Sequence, residues 1–150
     1  MKKFAFRLAS LLTLRENERD LRRQHLGEAL RHAEELQARR DELENQRETQ
    51  LQELRQLGQP GEFRVDGAAA RRVFAGQIVS WINDVERQRK LANHQVKLCR
   101  QALVTADQQV SVLETLRDKQ LAEFQFEAER REARELEESW LGAHFGEFQR

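Results

Sequence analysis

Four histidines (His25, His32, His94 and His144), one cysteine (Cys99) and many interleaved carboxylates are the residues of this chain that could do chemistry. A metal ion takes its ligands at roughly 2 Å. His25 and His32 share a helical face, but two turns hold them about 10 Å apart, too far for one ion. Cys99 would need a base beside it to act as a nucleophile, and no histidine lies near it on its own helix face. It falls at a seam position, where a free thiol behaves as a small hydrophobe. The carboxylates come in runs such as Glu127-Ala128-Glu129-Arg130-Arg131-Glu132-Ala133-Arg134-Glu135, which read as a solvated helix laced with pairs three and four residues apart. Catalytic carboxylates need a cleft to perturb them, and no Gly-rich turn ends in Lys-Ser or Lys-Thr to cradle a phosphate. We therefore expect no enzyme, no cofactor and no metal.

The elements that carry these residues are helices. Leu, Glu, Gln, Arg and Ala dominate, Tyr is absent, and a single Pro and seven Gly leave few places to turn. Charged residues make up 35% of the chain and hydrophobic ones 39%, a balance that suits long solvated helices better than a thick core. The periodicity of the apolar residues argues against disorder. Lys plus Arg and Asp plus Glu both number 26, and zero net charge argues against nucleic acid, whose phosphates call for a basic excess. One Cys suits a reducing compartment. No run approaches the roughly 20 apolar residues that span a bilayer, and Arg7 and Arg15 break the apolar stretch that a signal peptide would need. The expectation is a cytoplasmic protein without membrane insertion.

One break stands out, Gly58-Gln59-Pro60-Gly61, with Asp66 as a candidate N-cap for the second helix. Downstream, Ile78, Ile82, Val85, Ala92, Val96, Cys99, Leu103, Ala106, Val110 and Leu113 alternate four- and three-residue steps, interrupted at Arg89 and continued by Gln120 and Phe124. That is a heptad seam. Upstream, Leu26, Ala29, Ala33, Leu36, Leu43, Gln50, Leu54 and Leu57 form a looser one, interrupted at Arg40 and Arg47, whose long stems can lie over apolar surface. The fold class is all-α: one long two-helix antiparallel coiled-coil hairpin in a single domain. Its first arm runs from about residue 4 to 57, its turn from about 58 to 67, its second arm from about 68 to 142, with a tail over 143–150. A short connection makes the arms antiparallel neighbours. Folding about Phe63 sets Leu54 near Arg72, Leu26 near Arg100 and Leu8 near Asp118. The second arm overshoots the first.

Apolar residues that no seam requires point to function. Phe4, Phe6, Leu8, Leu11, Leu12 and Leu14 crowd the N-terminus; Phe124 and Phe126, then Trp140, Phe145 and Phe148, lie further along the second arm. Near the other end Phe74, Ile78, Val79, Trp81 and Ile82 again exceed one seam. Such surplus marks surfaces for other proteins.

The opening stretch, Lys2-Lys3-Phe4-Ala5-Phe6-Arg7-Leu8-Ala9-Ser10-Leu11-Leu12-Thr13-Leu14-Arg15, and Leu113-Glu114-Thr115-Leu116-Arg117-Asp118-Lys119-Gln120 on the second arm resemble the flagellar export protein FliJ family. The length and two-arm layout fit that resemblance over the whole chain. It implies a part in bacterial flagellum biogenesis and motility, within the type III class of protein export. Members resemble the central stalk of rotary ATPases, entering the pore of a hexameric export ATPase and promoting its assembly and activity. They also contact the cytoplasmic region of the membrane export gate and escort export chaperones, at the inner face of the cell membrane beneath the flagellum. The resemblance assigns Phe4, Phe6, Leu8, Leu11, Leu12, Leu116, Gln120 and Phe124 to the ATPase, and Leu43, Phe74 and Ile78 to the gate. The family shows aromatic residues level with Gln46 and Gln50, and this chain has none there. The alternative is a general coiled-coil scaffold that oligomerises through its heptad seams.

Overall fold

The computed structural model describes residues 2–57 and 65–148. Helix α1 spans Ala9–Leu57, 49 residues, and α2 spans Val65–Phe148, 84 residues. There is no strand among the described residues. The turn expected at Gly58, Pro60 and Gly61 lies outside them. Neither helix contains Pro, and their interiors are built from strong helix formers.

Three boundaries differ from those the periodicity sets. The first arm begins as a helix at Ala9, not near residue 4. Residues 2–8 are non-helical and join α1 through bonds from Ala9 N–H to the Phe6 carbonyl (3.2 Å) and from Leu12 N–H to the Leu8 carbonyl (2.9 Å). Asp66 falls inside the first turn of α2, which starts one residue earlier. The tail expected from 143 is still helix as far as Phe148. Gly142 and Gly146 each weaken it by about 1 kcal/mol relative to Ala without ending it. There Trp140 stacks on His144 one turn later, ring centroids 4.4 Å apart, and the His144 Nδ1 lies 2.9 Å from the Trp140 carbonyl oxygen.

By its contacts the chain divides into two compact units, Asp20–Val104 and Met1–Arg19 with Thr105–Arg150. Each pairs stretches of α1 and α2 in antiparallel fashion. In the Asp20–Val104 unit the core is Leu43, Ile78, Ile82 and Val85, extended by the buried Leu36, Ala92 and Val96. These are the seam positions read from the sequence. The register that sets Leu54 near Arg72 is observed: Arg71 bonds Glu53, Arg89 bonds Gln37, and Arg40 lies 3.5 Å from Glu86.

Those contacts also account for two of the three seam interruptions. Arg40 and Arg89 sit at one level and share Glu86, with Arg89 Nη1 donating to both its carboxylate oxygens at 2.8 and 3.1 Å. The hydrogen bond to Asp41, helped by the charges of Asp41 and Glu86 against a desolvation effect of opposite sign, raises the Arg40 pKa above its ordinary value. Arg47 behaves differently: it turns outward and lies 3.8 Å from Glu44 of its own helix.

In the other unit Leu12, Val110 and Leu113 form the core, with Phe6 and Leu8 packed against it. Ala106 is buried and Leu116, Gln120 and Phe124 are half-buried, so this seam too falls where the heptads place it.

Candidate partner-binding surface

Residues 2–8 form the most distinctive surface of their unit. Phe4, Phe6 and Leu8 are half-buried while Lys3, Ala5 and Arg7 are exposed, an alternation with the two-residue period of a non-helical chain lying on a support. Phe6 and Leu8 reach the Leu12 cluster. Phe4 meets Phe124 of α2, ring centroids 5.7 Å apart and planes tilted by 53°, within the range of favourable aromatic pairs. A shallow cleft opens beside this pair, with Lys2 and Lys3 on one side and Glu123 and Glu127 on the other. The crowding that the sequence suggests around several faces of one helix is thus resolved by two kinds of backbone. The available signal was the alternation from Lys3 to Leu8.

Of the residues assigned to the ATPase, Phe4, Phe6, Leu8, Leu116, Gln120 and Phe124 are half-buried and Leu11 is exposed, all within one unit. Leu12 is an exception. It is buried under Val110 and Leu113, and a side chain covered by its own fold has no area left to present. Leu14, outside that assignment, is instead well exposed.

The gate-side trio separates more sharply. Leu43 and Ile78 are 1% and 0% exposed, at the centre of the Asp20–Val104 core, and are corrected from contact surface to packing. Phe74 remains outside, in edge-to-face contact with Trp81 at 6.3 Å, with Val73 and Val79 exposed nearby. Trp81 joins this patch because it is off the seam.

Polar clusters are sparse. Among the described residues no group of three or more His, Cys, Asp and Glu could hold a metal. Cys99 is half-buried, its Sγ 3.8 Å from the Gln95 amide. The fold brings His25 of α1 into the same groove, a neighbour that the seam of α2 alone does not reveal. No described helix is long and apolar enough to cross a membrane.

The family model of the flagellar FliJ protein matches residues 3–144, nearly the whole chain. No curated protein and no solved structure matches.

Proposed function

The chain belongs to the flagellar FliJ family, a component of the flagellar export apparatus, and from that premise we propose that it is a non-enzymatic central stalk. In this reading its Phe4–Phe124 end docks in the pore of the hexameric export ATPase and promotes ring assembly and ATP hydrolysis. The patch of Phe74 and Trp81 faces the cytoplasmic region of the export gate, and export chaperones are handed on from the same chain. The protein then works in the cytoplasm, held peripherally at the inner face of the membrane. The observation that supports this most is the apolar segment Phe4, Phe6 and Leu8 laid beside exposed Leu11 and Leu14, more apolar area than a two-helix seam requires.

The test is ATPase stimulation. Wild-type chain added at about one per ring should raise the turnover of a purified export ATPase, and Phe4→Ala with Leu11→Ala should abolish that effect with helix content retained. Wild-type protein that neither binds nor stimulates the ATPase would sink the reading. The scaffold alternative needs the heptad seams as its interface. Within each unit those seams are already covered by the chain's own second helix.

A further inference from the structure

Among the described residues the last part of α2 has no partner. Every residue from Glu129 to Ala143 is exposed, among them Leu136, Trp140 and Leu141, and Phe126 just before them. A helix solvated all round is marginal on its own, so this segment gains most from a second surface.

Its pattern specifies what that surface is. Phe126, Glu129, Ala133, Leu136, Trp140 and Ala143 follow steps of three, four, three, four and three residues, a seam of its own. When two copies of such a seam are laid antiparallel about a twofold axis, Phe126 faces Ala143 of the other copy and Ala133 faces Leu136. Large side chains then meet small ones, as interdigitating layers require. The flanking charges decide the orientation. Antiparallel pairing puts Arg130 of each copy opposite Glu137 of the other, twice by symmetry. Parallel pairing puts Glu132 opposite Glu137, a like-charge contact. Arg130 is already held on that flank, its guanidinium 5.9 Å from the Phe126 ring centroid. Between those two layers Glu129 faces Trp140, where the carboxylate reaches water past the indole edge.

We propose that this helical segment, residues 126 to 143, is a self-association site at which a second copy of the chain docks antiparallel, fixed by reciprocal Arg130–Glu137 pairs. The inference stands on the geometry of the C-terminal part of α2 and not on the stalk reading. The contact covers about five helical turns, so the dimer is weak and concentration-dependent, a reservoir form that separates on dilution or on capture by a tighter partner.

Sedimentation equilibrium of the full chain over a wide concentration range tests it. Wild type should show a reversible monomer–dimer equilibrium. Arg130→Glu alone and Glu137→Arg alone should each weaken the dimer about tenfold, since two attractive pairs become repulsive, and the double exchange should restore it. Trp140→Glu, on a solvent-exposed position that leaves the fold intact by circular dichroism, should abolish it. A wild-type chain that stays monomeric throughout, or a dimer indifferent to these substitutions, would overturn the proposal. A monomer whose ATPase stimulation is lost with Trp140→Glu would overturn it too, and would assign this face to the ATPase instead. ATPase stimulation and sedimentation are separate readouts, so the stalk and the dimer can fail independently.

Discussion

Truncating Leu43 to Ala separates packing from partner contact at the position where the two expectations diverge most. Leu43 is 1% exposed and lies among Ile78, Ile82 and Val85. The substitution removes three carbons, and at about 0.8 kcal/mol for each the transfer loss alone is about 2.4 kcal/mol. Buried Leu→Ala changes cost about 2–5 kcal/mol once the residual cavity is included. Two helices covered only by each other can close part of the gap, which puts the expectation at about 2–3 kcal/mol. That is a large share of the roughly 5–15 kcal/mol available to a domain. Urea unfolding followed by helical circular dichroism reads it as a lower midpoint with an unchanged slope. Phe74→Ala is the matched comparison: Phe74 is 39% exposed, its main loss is the edge-to-face contact with Trp81, and about 1 kcal/mol is expected. A Leu43→Ala midpoint within experimental error of wild type, with binding to the export gate lost, would refute the placement of Leu43 in the core and return it to the surface.

Three further outcomes rest on the same geometry. Phe4→Ala removes the ring contact with Phe124 and should cost about 1 kcal/mol, seen most directly as faster proteolysis within residues 2–8. Glu86→Gln weakens the shared contacts of Arg40 and Arg89; because all three side chains are partly solvated, the loss should stay below about 1 kcal/mol and shrink as salt is added. Trp140→Ala, studied where the chain is monomeric, should leave the unfolding midpoint almost unchanged, because that side chain is 59% exposed.

The helices, their register and the buried seam were legible because heptad spacing reports one physical fact, which face is out of water. Ile78, Ile82, Val85, Ala92, Val96, Ala106, Val110 and Leu113 are buried as their spacing requires. What spacing could not report is how surplus apolar residues divide between packing and display. A family resemblance groups Leu12 and Leu43 with contact residues, yet each lies in a core cluster and is consumed by it. The start of α1 is misread from the sequence for a related reason. Phe4, Phe6 and Leu8 have helix-compatible types, and only their alternation with Lys3, Ala5 and Arg7 distinguishes a docked segment from a helical turn.

Arg40 and Arg89 show what a polar layer in such a seam is for. The half-exposed pairs with Glu86 contribute little energy, and an apolar layer of equal volume would often be as stable. Their value lies in register: Arg40, Glu86, Arg89 and Gln37 meet only when Leu43 lies over Ile78 and Ile82. Sliding the Asp20–Val104 pair one heptad in the direction that faces Glu86 with Ala33 and Arg89 with Leu30 strands both charges against apolar side chains. Polar seam residues in coiled coils fix alignment in this way at some cost in stability. Arg40→Leu with Arg89→Leu should therefore hold or raise the unfolding midpoint, while amide exchange in that unit becomes faster and less uniform as other alignments are populated. A double variant destabilised by more than about 1 kcal/mol, with exchange otherwise unchanged, would show that the arginines stabilise this unit directly and that alignment is set by the apolar residues alone.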